Sequence, residues 1–181
     1  MIRVSPERTS GKDPDMTAIK WQKTWFRILS TVLVAGMMML IFAFSTQTAE
    51  ASDETSGGIS RIVIRVFIHD FSRETPEKQT EIYDTVQFYV RKVAHFAEYL
   101  LLGFLMRFCL LSWFGKRTWL TIGSWGAGTL YALTDEIHQM MIDGRSGQWT
   151  DVLLDSAGVL AGVLIAAKLV ELTERKAGRS K

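Results

Sequence analysis

The chain is nearly free of cysteine. Cys109 is the only one in 181 residues, so no intrachain disulfide can form. It lies in an apolar run and reads as a packing residue. Proline is almost as scarce: Pro6 and Pro14 fall in a polar N-terminal stretch, and Pro76 stands where a helix should start. Charge of one sign is not in excess. Lys and Arg number 21 against 19 Asp and Glu, and a net charge of +2 is too small to argue for nucleic acid. No basic patch interleaved with aromatics supports that partner either. Also missing are a Gly-x-Ser-x-Gly nucleophile, a P-loop and the His-Glu-x-x-His spacing of zinc proteases.

What the chain does have is alternation. Its composition is 48% apolar, gathered into long runs separated by strongly charged segments. That is the profile of an all-α, polytopic transmembrane helix bundle rather than of a soluble domain with one core. Residues 1–25 form a polar tail of mixed charge. Residues 26–170 form the membrane domain, with spans expected at about 26–45, 93–113, 118–139 and 151–170, and residues 171–181 form a charged tail. A rival reading of the first span is a cleaved signal peptide with Lys20, Lys23 and Arg27 as its basic region and Ala49-Glu50-Ala51 as its cleavage site; the apolar run is longer than such signals usually carry.

Between the first two spans, Ser45 to Gly58 is rich in Ser, Thr, Gly and acid, and reads as loop. Ile59 to Phe71 is amphipathic, with Ile59, Ile62, Val63, Val66 and Phe67 on one face and Arg61, Arg65 and His69 in a polar stripe. It suits a helix on the membrane surface or one packed on the bundle. A second amphipathic helix starts at Pro76, with Glu77 in its first turn, and can run unbroken into the next span. Lys and Arg concentrate on the side that holds both termini and the Lys116-Arg117 loop. Both termini are therefore expected in the cytoplasm of a multi-pass cell-membrane protein.

The charges inside or beside the spans are the strongest functional signal, because ionisable groups there are costly and face a partner or a wet cavity. At 100° per residue, Lys92, His95, Glu98 and Tyr99 share one face of the second span. Tyr131, Asp135, His138 and Gln139 share a face of the third, with Glu136 at its flank. Asp151, Asp155, Gly158 and Gly162 line up on the fourth, and Arg145 precedes it. Antiparallel neighbours bring all three charged ends to one height, expected at the extracytoplasmic face. Small residues at Gly158 and Gly162, with Gly103, Gly126 and Gly128, suit close helix approach.

Carboxylates beside imidazoles suit general acid–base chemistry, so His95, Glu98, Asp135 and Glu136 are the catalytic candidates. The same groups provide enough ligands for a divalent metal. Lys92, Tyr99, His138, Gln139, Arg145, Asp151 and Asp155 are the substrate-binding candidates, with Arg145 and Lys92 as anion clamps. The structural alternative is that these charges pair with one another to fix helix register. Lys92 and Arg107 also read as snorkelling side chains. Trp113, Trp119 and Trp149 read as interfacial anchors, and Met37 to Met39 and Met140-Met141 as lipid-facing or packing residues.

Three blocks in order resemble a family. Phe44-Ser45-Thr46-Gln47, followed by Ser52 and Ser60, is similar to an F-S-x-Q…S opening. Arg91-Lys92-Val-Ala-His95-Phe96-Ala-Glu98-Tyr99, continuing to Gly103, is similar to a K-x-x-H-F-x-E-Y-x-x-L-G block. Asp135-Glu136-Ile-His138-Gln139, Gly144-Arg145, Asp151 and Gly158 resemble the last block of VanZ-like membrane proteins. One position departs: Asp155 stands where the family commonly has Asn. The resemblance covers about residues 30–170 and implies a bacterial membrane protein of several helices. Through its founding member it also implies a link to resistance to the glycopeptide teicoplanin.

Three functions stay open on the sequence. One is binding of, or chemistry on, a cell-wall or lipid-linked envelope component at the outer face. A second is a non-enzymatic bundle that positions another envelope protein, its polar cluster structural. The weakest is an ion path, since no charge chain continues across the bilayer.

Overall fold

The computed structural model describes residues 23–142 and 148–179. Among them every regular element is helical: α1 Thr24–Ser45, α2 Ala49–Phe67, a 3-10 turn Phe71–Arg73, α3 Pro76–Phe114, α4 Leu120–Gln139 and α5 Trp149–Arg179. Of these, α1, α3 and α5 are long and apolar enough to cross a membrane. With 20 residues, α4 is about 30 Å long, enough to cross as well, but Ser, Thr, Gly, Asp135 and Glu136 make it more polar.

The organising element is α3. Nothing after Pro76 at its first turn interrupts it for 39 residues, or about 58 Å, nearly twice the thickness of a hydrocarbon core. It ends at Gly115, the only described residue with a positive φ (64°), a conformation in which a side chain would clash. Two successive helices lie antiparallel along it. The first is α1, tied near its start by the Arg27 Nε donation to the Ser112 carbonyl (2.9 Å) and by Trp113 Nε1 donating to Thr31 (3.0 Å). After a break at Thr46–Thr48, α2 continues along the N-terminal half of α3. Asp53 there pairs with Arg91 (2.8 Å), and Gly57 meets Tyr83.

The segment read as a loop up to Gly58 is thus helical from Ala49. Its Ser and Thr side chains bond inward along the helix, Thr55 to the Ala51 carbonyl and Ser56 and Ser60 to carbonyls four residues back, so they do not compete with it. Nor does α2 pair its apolar ridge with the bundle. Gly57, Ser60 and Ile64 form the buried face, while Ile59, Ile62, Val66 and Phe67 are exposed. His69 lies past the helix end and is not part of a helical stripe. Thr48 caps α2 by accepting the Ala51 amide (3.3 Å). Thr48→Ala should cost about 1 kcal/mol locally and speed amide exchange in the first turn of α2 alone, as hydrogen–deuterium exchange would report.

In lipid, helices gain no hydrophobic energy from meeting one another, so close packing and hydrogen bonds hold them. α3 and α5 run parallel and share the most extensive interface. A Cβ on Gly158 would meet the Phe96 carbonyl at 2.6 Å; one on Gly162 would meet the Leu100 carbonyl, and one on Gly103 the Val159 backbone. The expected close approach is made there, and at Gly128 against Val159. It is not made at Gly126, which faces open space. Around this seam lie Met37, Ile41, Tyr99, Leu102, Met106, Ala132, Val159 and Val163. Between α4 and α5, Ser156 joins Trp125 Nε1 (3.0 Å) and Thr129 (2.8 Å).

The opposite end of the bundle corrects one further expectation. The charged C-terminal segment is helical as far as Arg179, and Glu174 pairs with Lys116 of the α3–α4 loop. Arg107 does not snorkel. It is buried at 8% exposure, with its Nε and one terminal nitrogen free of hydrogen bonds, and within electrostatic reach of Glu174 on α5, which no local pattern announces.

Candidate functional site

The sequence-selected residues of α3, α4 and α5 meet at one level, where α1 gives way to α2. Helix geometry sorts them into two groups with different surroundings.

The first group faces the break. A cavity of about 230 Å3 opens there, between the end of α1, the start of α2 and the middle of α3. Phe44, Ile59, Val90 and Ala94 provide its apolar wall. Gln47, Ser52, Thr55 and Ser56 come from the break and the first turns of α2, and Arg91, His95 and Glu98 from one stripe of α3. Arg91 is held by Asp53, and the Gln87 amide donates to the Asp53 carbonyl (3.3 Å), so the α2 wall is fixed to α3 by polar ties. Ser45 is buried beside the break, its hydroxyl without a hydrogen-bond partner in the protein. Gln47, Ser52, Thr55 and Ser56 were missing from the sequence-derived site. The signal that points to two of them is the F-S-x-Q…S block, whose spacing has no helical periodicity because it spans the break.

The second group is interior. Tyr99 is fully buried, and Asp135 and Asp155 are 4% and 1% exposed. Asp135 accepts from Gln139 Nε2 (3.0 Å), yet its other oxygen, the Asp155 Oδ1 and the Tyr99 hydroxyl have no hydrogen-bond partner in the protein. Asp135, Asp151, Glu136 and Glu98 all lie close enough to Asp155 to repel it. Lys92 lies within electrostatic reach of this acidic interior and is engaged by Asp151 across the α3–α5 seam. Glu136 accepts the Gln148 amide (2.5 Å) and so ties the end of α4 to the start of α5.

Of the α4 stripe, His138 turns elsewhere, while Tyr131 keeps its ring 6.4 Å from that of Tyr99 and reaches α1 with its hydroxyl. His138 stacks on Phe42 of α1 with centroids 4.8 Å apart, and Tyr131 donates to the Met38 carbonyl of α1 (2.6 Å). Both are one turn from Asp135, but α4 is wrapped by α1 on one side and by α3 and α5 on the other, which divides its polar stripe. Arg145 lies outside the described residues.

Chemically, the cavity offers hydroxyls, an amide, an imidazole, a carboxyl and a guanidinium on an apolar-walled cleft. That suits a ligand with one polar and one apolar part. Among the described residues no three His, Cys, Asp or Glu side chains are grouped to hold a metal ion. Asp135 and Asp155 come from different helices and face Tyr99, while His95 looks into the cavity and His138 towards α1.

A model of the VanZ/LLP1 family matches residues 30–171, from the middle of α1 through most of α5. No curated protein and no solved structure matches the chain.

Proposed function

The chain belongs to the VanZ/LLP1 family, and from that premise we propose that it is a four-span bacterial envelope protein. Its cavity at the α1–α2 break binds the polar head of a lipid-linked envelope component from the outer face. The observation that carries this reading is the convergence of two motif blocks: Gln47 and Ser52 from one, and Arg91, His95 and Glu98 from another, line a single cavity. A broken helix beside a continuous one is how membrane proteins bring backbone groups to a ligand, and the N-terminal end of α2 adds a partial positive charge. Phe44 and Ile59 supply contact for the apolar part.

In this topology α4 is the third span and both termini are cytoplasmic, as the distribution of Lys and Arg favours. The link to glycopeptide resistance belongs to the same reading, since teicoplanin acts on the cell-wall assembly that such components feed.

A second reading is favoured for the interior group alone. Lys92 with Asp151 and Glu136 with the Gln148 amide are bonds between elements that fix helix register, and Gln139 satisfies one oxygen of Asp135 within α4. In that view His95 and Glu98 act on the ligand, while Lys92, Asp151 and Glu136 hold the bundle.

The test uses the full chain in nanodiscs with a radiolabelled polyprenyl-diphosphate-linked cell-wall precursor. Wild type should retain the precursor, and Glu98→Gln and His95→Gln should each lower affinity about tenfold at unchanged helicity. Expressed at matched levels in a teicoplanin-sensitive Gram-positive host, wild type should raise the lowest inhibitory concentration and Glu98→Gln should not. A wild type that retains no precursor, or variants that bind it equally, would remove the binding reading.

A further inference from the structure

A second cavity lies at the far end of the α2–α3 hairpin. It measures about 340 Å3 and sits between the last turns of α2, the 3-10 turn and Tyr83 of α3. Along α3, Tyr83 is 15 residues from Glu98, about 22 Å, so this cavity is separate from the one at the break. Its polar lining is basic: Arg61 and Arg65, one turn apart on α2, and His69 just beyond the helix. Ser72 and Tyr83 add hydroxyls, and no carboxylate lines it.

The state of the two arginines is informative. Neither forms an ion pair with any described residue, although seven other Lys or Arg side chains do so (Arg73, Lys78, Arg91, Lys92, Lys116, Lys168 and Arg175). Arg61 stands between this cavity and a neighbouring acidic one bearing Asp53, Glu54 and Asp84, yet it bonds to none of them. Arg65 is in the last turn of α2, where the helix dipole favours a cation and helps to hold it. Two guanidinium forks, an imidazole and two hydroxyls converging on a hollow without carboxylates form a donor set for a tetrahedral oxyanion. Arginine suits phosphate because its planar fork donates two hydrogen bonds.

We propose that this cavity is a binding site for a phosphate or phosphodiester group. The group can come from a soluble or polymeric phosphate reaching the hairpin from water, or from the headgroup of an anionic lipid. The exposed ridge of Ile59, Ile62, Val66 and Phe67 runs along the same helix, on a different face. The site stands on its own residues and does not depend on what the cavity at the break binds.

The test uses the full chain in nanodiscs. In phosphatidylcholine nanodiscs, tripolyphosphate binding is measured by calorimetry. In phosphatidylglycerol nanodiscs, native mass spectrometry counts the lipids retained on the released protein. Arg61→Gln with Arg65→Gln should weaken one of these by about tenfold or more. Loss of tripolyphosphate binding assigns the site to soluble phosphate; loss of retained phosphatidylglycerol assigns it to the lipid. Arg73→Gln with Lys78→Gln removes two exposed cations outside the cavity and should change neither. Arg61→Lys with Arg65→Lys keeps the charge but not the forks and should fall between, which guards against a fold defect. Equal binding by wild type and the Gln pair in both arms, or an equal loss in the Arg73 and Lys78 control, would overturn the proposal.

Discussion

Gly162→Leu should leave almost no folded protein in the membrane, whereas Gly126→Leu should be tolerated. Both are helical glycines in apolar surroundings, and a substitution table would treat them alike. The difference lies in what a side chain would meet. At Gly162 even a Cβ runs into the Leu100 carbonyl and comes within 2.7 Å of the Phe104 amide, both backbone atoms of α3 that no rotamer change can move. The helices must separate, and the α3–α5 seam is the most extensive in the bundle. Overpacking of a tight core costs about 1–3 kcal/mol and more where backbone must shift, and lipid-embedded helices have no hydrophobic surplus to offset it. At Gly126 nothing lies within 4 Å, and the position accepts a side chain. Size-exclusion profiles of detergent extracts at matched expression decide it. A monodisperse Gly162→Leu peak equal to wild type would mean that α3 and α5 are not packed through these glycines.

Asp155→Asn should stabilise the protein by about 1 kcal/mol, because the amide adds a donor to an interior crowded with carboxyl oxygens. Most changes at a fully buried polar position destabilise, so the sign is the informative part. Asp155 is 1% exposed, one oxygen lacks a partner, and four other carboxyls lie close enough to repel it. Asn keeps the shape, removes the charge and adds an amide donor that Asp135 or Tyr99 can accept. Thermal unfolding in one detergent, followed by intrinsic fluorescence from the six tryptophans, reports the shift. Destabilisation by Asn would show that the carboxyl of Asp155 is itself a required bonding partner.

Most of the architecture was legible in the sequence because its signals are local. Apolar runs bounded by charge mark α1, the inner half of α3 and α5, and a proline at the first turn marks the start of α3. The 100° rule put Tyr99, Asp135 and Asp155 at one level, since neighbouring helices of similar length must meet there. What was not legible depends on partners. Ser and Thr between Ser45 and Gly58 look like loop until their hydroxyls are seen to bond back along the helix. The apolar ridge of α2 left open whether the helix packs on the bundle or lies on the membrane surface; it packs through Gly57 and Ser60, which allow a closer approach to α3 than isoleucine would. Arg107 looked like a snorkelling residue because Glu174, its electrostatic partner, is 67 positions away. Within the site, the division of the α4 stripe between Asp135 and His138 follows from where α1 packs, and no pattern within α4 encodes that.

The unbroken course of α3 makes it a lever. Its inner half is gripped by α5 through Gly158 and Gly162, and its outer half, about 25 Å from Pro76 to Lys92, carries α2 with it. Helices answer a change in bilayer thickness by tilting. A tilt of about 10° at the grip would sweep the outer end sideways by about 4 Å, roughly the width of a side chain. Any tilt of the bundle is therefore carried along α3 to the far end of the α2–α3 hairpin and is largest there.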